Sequence, residues 1–153
     1  MKKYFFYIFL SLFLFNCLFA KDVNIQENIN LTFKCILDKK IIKNSEYNYK
    51  TFFAEDLDKK VLENFKIESK QPETLNIIGL SNFLSTSKEL NVKVVNKDVV
   101  LFKSIDEKNN YSESAIIERN TGELVHEITI NFESENSEKD IFFYNCNYLN
   151  KNV

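Results

Sequence analysis

The sequence predicts an all-β domain, in which an antiparallel meander closes into a small barrel of about eight strands with at most one short helix. Two observations predict this fold class. Short runs in which apolar or aromatic residues alternate with polar ones recur along the chain, and clusters of Asn, Asp, Ser and Lys separate them about every 8 to 12 residues. A sandwich of two sheets is the alternative architecture, because its strands carry the same alternation.

The clearest element is a hairpin that turns at residues 119–122. Asn120 and Thr121 suit a tight turn, and Gly122, one of only two glycines, can adopt the positive φ that such a turn needs. Beyond the turn, one strand face carries alternate residues that are almost all apolar: Leu124, His126, Ile128, Ile130 and Phe132. A further strand follows at residues 141–148, so the C-terminal third is predicted to be an antiparallel meander.

The preceding strands are predicted from the same alternation and from their content of aromatic and β-branched residues. They cover residues 29–37, 47–53, 64–69, 74–80, 90–95, 99–103 and 111–119. Polar loops are expected at residues 106–110 and 133–139, on either side of the central hairpin.

Four shorter segments are predicted to interrupt these strands. Residues 38–40 should turn the chain after the first strand. Residues 56–62 have apolar residues at helical spacing behind acidic ones, which favours a short helix or helical turn, although Val61, Phe65 and Ile67 also alternate as in a strand. Pro72 should end a strand, because proline fixes its own φ. Residues 81–88 should form a polar loop that tucks two apolar residues under the sheet, Phe83 and Leu84.

The first 20 residues have the order of a secretory signal peptide. Two lysines precede an apolar run over residues 4–15, and Ala20 supplies a small residue at the expected cleavage point. The run is shorter than the roughly 20 apolar residues that span a bilayer. We therefore expect residues 1–20 to be cleaved, and residues 21–153 to be exported, to the periplasm or the medium, as a single antiparallel β domain.

Two alternatives would keep the chain at a membrane. Leu14 stands three places before Cys17, as in a bacterial lipoprotein signal, although Asn16 occupies a position where that signal has a small residue. The apolar segment over residues 4–20 can also remain uncleaved as an anchor. Contact with a membrane is expected only if Cys17 is lipidated or this N-terminal segment is retained.

The composition argues against nucleic acid as a partner. Removal of Lys2 and Lys3 with the signal changes the formal charge from −2 to −4. The remaining chain has no basic cluster interleaved with aromatic residues, which binding to a phosphate backbone requires. A small apolar ligand and another protein are the partners that the composition permits.

Cys35 and Cys146 are the two cysteines that remain after cleavage, and an exported pair is most often a disulfide. Each lies on the apolar face of its predicted strand. The bridge would close a loop of about 110 residues, worth on the order of 4 to 5 kcal/mol in the chain-entropy model. It would join the first strand to the last, which are neighbours in an up-and-down barrel.

His126 is the only histidine, and it lies on an otherwise apolar strand face. A histidine in that setting is usually satisfied by a buried hydroxyl or carbonyl group, or lies at the open end of a barrel where water reaches it. The functional alternative is that His126 lines a ligand cavity as its polar anchor. A zinc site made by Cys35, Cys146, His126 and a fourth group is a further alternative, which requires both thiols to be reduced.

The side-chain inventory argues against most catalytic sites. Gly79 and Gly122, the only glycines, cannot build a phosphate loop, a dinucleotide fingerprint or a nucleophile elbow. We therefore expect no catalytic residue, no metal and no cofactor. Two carboxylate pairs have spacings that suit glycoside hydrolysis, but 22 acidic residues produce such pairs freely: Glu133 with Glu135, and Asp56 with Asp58.

These observations favour a non-catalytic binding or interaction module of the periplasm or cell envelope. Its partner would be a small apolar ligand in the barrel mouth or a protein on the sheet. An exported hydrolase that uses Asp and Glu carboxylates is the alternative. An apolar cavity behind His126 would favour ligand binding, two carboxylates facing across a cleft would favour hydrolysis, and a solid core would leave a surface interaction.

Overall fold

The structure, a computed structural model, describes residues 29–58, 61–71, 74–87 and 90–149. The predicted signal peptide and the predicted break at Pro72 lie outside the described residues. The described chain forms nine strands, one α-helix and one 3₁₀ turn: β1 (Asn30–Lys43), β2 (Lys50–Phe53), the 3₁₀ turn (Ala54–Asp56), β3 (Val61–Gln71), β4 (Thr74–Ile78), α1 (Asn82–Thr86), β5 (Asn91–Val95), β6 (Val99–Asp106), β7 (Tyr111–Glu118), β8 (Glu123–Ile130) and β9 (Glu138–Tyr148).

All nine strands belong to one antiparallel sheet. Its order is β4-β3-β1-β9-β8-β7-β6-β5. On the edge of β1 that faces away from β9, the first half of β1 pairs with β3 and the second half pairs with β2. The sheet curls into a half-barrel, and its inner face holds the core. The predicted all-β fold, an antiparallel meander with one short helix, is confirmed. The sheet ends at β4 and β5, and the chain between these two strands contains α1.

The core is built from alternate residues of the strands. Its largest fully buried side chains are Phe33, Phe65, Phe102, Ile67, Ile77, Ile117 and Leu124. The ring of Phe33 stacks on Phe65 at 5.6 Å between centroids and lies 4.5 Å from Tyr148. Leu84 of α1 is buried in the same core, so the helix packs against the inner face of the sheet.

The predicted turn at residues 38–40 is wrong, because β1 continues to Lys43. The register between β1 and β9 shifts between Leu37 and Lys39, which is a β-bulge that leaves Asp38 without an opposite residue. The extra residue bends the strand without ending it.

Lys39 and Lys40 stay extended because each has a partner on β9. The Lys39 Nζ lies 4.8 Å from the centroid of the Phe143 ring. Lys40 forms an ion pair with Asp140 at 2.9 Å, and its Nζ also lies 5.0 Å from the Phe142 ring. Cross-strand contacts of this kind stabilise charged residues within a strand. They outweigh the local preference of Asp and Lys for a turn.

The helix predicted at residues 56–62 is also wrong. A 3₁₀ turn covers Ala54–Asp56, and β3 begins at Val61. The segment from Val61 onward is a strand because that conformation buries two core residues, Phe65 and Ile67. Conversely, the loop predicted at residues 81–88 contains α1, although Leu84 is buried as expected.

Cys35 and Cys146 form the predicted disulfide. The two residues face each other in the ladder of β1 and β9, with Cα atoms 3.9 Å apart, and both are buried. The first and last strands are therefore neighbours, as the sequence analysis expects.

Loss of this disulfide should lower the free energy of unfolding by up to about 4 kcal/mol, because the bridge constrains most of the unfolded chain. Cys35→Ser and Cys146→Ser should lose similar amounts. The double variant should lose no more than either single variant, since one bond cannot be lost twice. Urea unfolding with and without reductant measures the effect. Two reactive thiols in unfolded, unreduced protein would contradict the bridge.

Gly122 closes the turn of Asn120 and Thr121 with a φ of 78°, as predicted. Its N–H donates to the Glu118 carbonyl at 2.8 Å, and its carbonyl accepts from the Cys146 N–H at 2.9 Å. A Cβ at this position would lie 2.1 Å from the Cys146 carbonyl oxygen. Both the backbone conformation and the close approach of β9 therefore require glycine.

Gly122→Ala should lower the free energy of unfolding by at least about 2 kcal/mol. A side chain is strained at positive φ by about 1 to 2 kcal/mol, and the contact with β9 adds to that strain. Glu135→Ala, in an exposed turn, is the control and should change stability by less than about 0.5 kcal/mol. Thermal unfolding compares the variants, and equal midpoints for Gly122→Ala and the unmodified chain would refute the prediction.

Candidate functional site

The inner face carries a buried polar cluster among apolar side chains. His126 of β8 and Glu113 of β7 are each 2% exposed, and the imidazole Nε2 lies 2.8 Å from the carboxylate Oε2. The two residues are diagonal neighbours, because Ala115 faces His126 and Glu113 faces Ile128 in the β7–β8 ladder. The sequence analysis placed His126 on this face and missed Glu113.

A hydroxyl group also binds the Glu113 carboxylate. The Tyr111 hydroxyl donates to Oε1 at 2.5 Å, and Ser81, which precedes α1, also helps to lower the pKa of Glu113. Burial raises the pKa of Glu113, but the hydrogen bonds from His126, Tyr111 and Ser81 outweigh burial and hold the pKa below its ordinary value. Burial, with the hydrogen bond to Glu113, raises the pKa of Tyr111.

The lowered pKa of Glu113 links this cluster to the stability of the protein. In the unfolded chain the carboxyl titrates near its ordinary value of 4.5. When folding lowers the pKa of a group, the group stabilises the fold at pH values above its unfolded pKa. This contribution is lost as the pH falls through the lower pKa of the folded state. The cluster is therefore expected to stabilise the protein at neutral pH and to weaken in acid.

Among the described residues, His126 is surrounded by a carboxylate and an aromatic ring, and whether it anchors a ligand stays a prediction. Phe142 stacks on the imidazole at 5.9 Å between ring centroids. A crevice at the same end of the inner face has a volume of about 50 Å³, and its lining includes Ile42, Ile128 and Asp140. Pockets for small molecules start near 300 Å³. In the described part of the chain, His126 has a carboxylate partner and packs against an aromatic ring.

Tyr144 is a second buried polar residue on the inner face. Its hydroxyl has no hydrogen-bond partner among the described residues, and its ring lies 6.3 Å from Phe142. Burial raises the pKa of Tyr144 to about 12, so the hydroxyl is a neutral donor at physiological pH.

The residues considered for a zinc site and for hydrolysis do not come together in a metal site or a cleft in the described part of the chain. Cys35 and Cys146 cannot ligate zinc as a disulfide, and the described residues contain no group of three or more His, Cys, Asp or Glu that could hold a metal. The carboxylates considered for hydrolysis are all exposed: Asp56, Asp58, Glu133 and Glu135.

The predicted turn residues lie at the opposite end of β7 and β8 from the polar cluster. Together with residues of β9 they line an open depression of about 360 Å³: Asn120, Thr121, Gly122, Cys146, Asn147 and Tyr148. The Tyr148 hydroxyl donates to the Arg119 carbonyl at 3.0 Å. The lining carries no charged side chain.

The outer face carries a row of large, solvent-accessible side chains. The register places six residues in one line across six strands, and we call them the outer row: Leu101, Ile116, Val125, Phe143, Lys39 and Phe53. With about 4.8 Å between strands, the row is roughly 24 Å long. Phe53 is 55% exposed, and Ile36 beside the row is 50% exposed. Contiguous exposed apolar surface is typical of an interaction site.

Comparisons with protein-family models, with curated proteins and with solved structures give no match to this chain. Within the described ranges, no helix has the length and apolar character needed to cross a membrane.

Loss of His126 should strongly destabilise the protein, because Glu113 would remain buried with one donor fewer. We expect His126→Leu to lower the free energy of unfolding by about 3 kcal/mol. Adding Glu113→Met should recover part of that loss, since apolar replacement of a whole buried charged pair is often nearly neutral. Urea unfolding of both single variants and the double variant measures the coupling. Strictly additive losses would show that the two side chains do not stabilise each other.

Proposed function

We propose that this protein is an exported, non-catalytic interaction module of the periplasm or cell envelope, and that its outer row binds another protein. The observation that carries the proposal is the line of solvent-accessible side chains across six strands, of which five are apolar and the sixth is Lys39. Removing such side chains from water favours association by roughly 25 cal/mol for each Å² buried. Aromatic residues such as Phe53 and Phe143 are enriched at protein interfaces.

The contrast between the two faces supports binding over hydrolysis. A general acid or base must come within hydrogen-bond reach of its substrate. Glu113 and His126 are almost completely buried, whereas each side chain of the outer row is at least partly accessible to solvent. The four carboxylates considered for hydrolysis are exposed rather than enclosed, and glycoside hydrolysis needs two that face each other across a cleft.

Two features support export. Residues 1–20 have the order of a signal peptide, and disulfides form and persist in oxidising compartments. N-terminal sequencing of the protein from its own host should begin at Lys21. Full-length chain in the membrane fraction, or a lipid-modified Cys17 as first residue, would contradict cleavage after Ala20.

Native mass spectrometry of the protein purified from its own host tests the binding proposal. The unmodified chain should retain a protein partner. The variant Ile116→Thr with Val125→Thr should lose it, because both changes remove exposed apolar surface and keep β-branched strand residues. Glu135→Thr is the control and should keep the partner. A retained small molecule, or a chain without any partner, would contradict the proposal.

A further inference from the structure

A step in the sheet forms the open depression beside the turn at Gly122. The β8–β9 ladder ends at the pair Glu123 and Asn145. Strand β9 continues along β1 as far as the pair Phe33 and Tyr148. The last residues of β9 therefore lie beside the turn without a residue of β8 opposite them. The space between the turn and this end of β9 has a volume of about 360 Å³.

The walls of this depression are fixed by contacts within the protein. The Gly122 carbonyl accepts a hydrogen bond from the Cys146 N–H, and the disulfide links Cys146 to β1. The Tyr148 hydroxyl donates to the Arg119 carbonyl at 3.0 Å, and the Tyr148 ring lies 4.5 Å from the Phe33 ring between centroids. A preformed site loses little conformational entropy when a ligand enters. The depression therefore has the rigidity that favours binding of a small ligand.

The polar groups in the lining are uncharged and still have capacity for hydrogen bonds. The Asn120 amide group donates to Asp98 at 3.0 Å, which leaves the Asn120 Oδ1 as an acceptor. The Asn147 side chain is exposed and has no hydrogen-bond partner among the described residues. Its carboxamide therefore provides both donors and an acceptor. The hydroxyl groups of Thr121 and Tyr148 each add an oxygen to the same lining.

We propose that this depression binds a neutral sugar unit. Sugar hydroxyl groups both donate and accept hydrogen bonds, which matches a lining of carboxamide and hydroxyl groups. The C–H face of a sugar ring packs against an aromatic ring, and Tyr148 provides one. A charged ligand would meet no opposite charge in the lining. A purely apolar ligand would leave the polar groups of the lining without partners, which costs free energy.

The size of the depression fits a single sugar or the end of a glycan chain. Its volume of about 360 Å³ is near the lower end of the range for small-molecule sites, which begins at roughly 300 Å³. Because the depression is open, it covers only part of a ligand, and we expect a Kd on the order of 1 mM. A sugar bound this weakly leaves during purification, so a native mass spectrum would not retain it.

This site goes beyond the interaction proposed for the outer row. None of the six lining residues belongs to the outer row, so each surface can fail without the other. The variant Ile116→Thr with Val125→Thr should lose the protein partner and keep sugar binding.

An amide NMR titration of the exported protein, with its disulfide intact, tests the proposal. The probes are glucose and N-acetylglucosamine as free sugars, and the trimer of each as a chain end. At least one probe should shift the amide signals of residues 120–122 and 146–148, with a Kd on the order of 1 mM. Tighter binding of a trimer would identify a glycan chain as the source, and equal affinities a free sugar. Either result supports the site.

Asn147→Leu is the variant that tests the lining. It removes the free carboxamide and keeps a side chain of similar size, so the Kd should increase about 5- to 10-fold, as expected for one lost hydrogen bond. Asn145→Leu is the matched control, because Asn145 is also exposed on β9 but does not line the depression. Its Kd should equal that of the unmodified chain. The spectrum of each free variant shows whether it is folded.

Four results would overturn the proposal. The first is the absence of shifts at residues 120–122 and 146–148 with every probe up to about 50 mM, well above the expected Kd. The second is an equal response to glycerol, which would indicate binding of an adventitious additive only. The third is tighter binding of glucose 6-phosphate than of glucose, since the site would then select an anion. The last is equal weakening by Asn147→Leu and Asn145→Leu.

Discussion

The pairing of β1 with β9 is the constraint on which the rest of the sheet depends. Strands β1 to β4 form one group and β5 to β9 another, and in the described sheet the β1–β9 ladder is the pairing that joins them. The ladder runs from Phe33 to Lys43 on β1, and its disulfide links residues 111 positions apart. Closing that long loop costs conformational entropy. Without the bridge, non-covalent contacts alone must compensate for this cost.

The parts of the fold that the sequence predicts correctly are those in which local pattern and tertiary packing agree. Alternation identifies most strands, and the turn at Gly122 matches its backbone conformation. The errors occur where a distant contact overrides a local preference. Residues 38–40 look like a turn, yet partners on β9 keep Lys39 and Lys40 extended. Those partners are at least 100 positions away, so no local window contains the information.

The buried cluster was predictable in part. His126 is conspicuous because it interrupts an apolar face, whereas Glu113 is one acid among many. The hairpin register could have identified it, since counting back from the turn at Gly122 places Glu113 diagonally opposite His126. The contribution of Ser81 to the lowered pKa of Glu113 could not be found this way, because it depends on how the segment that contains α1 folds back onto the sheet.

Stability alone does not account for a carboxylate in this position. Burying an ionised group carries a desolvation cost of several kcal/mol, and well-packed apolar side chains of similar volume often serve a core equally well or better. Glu113 accepts a hydrogen bond from the Tyr111 hydroxyl and is paired with His126, and both partners lie on strands of the sheet. An apolar residue at this position would fill the same space without responding to pH. A carboxylate makes the contacts with Tyr111 and His126 depend on its charge, and a core built only for stability does not need that property.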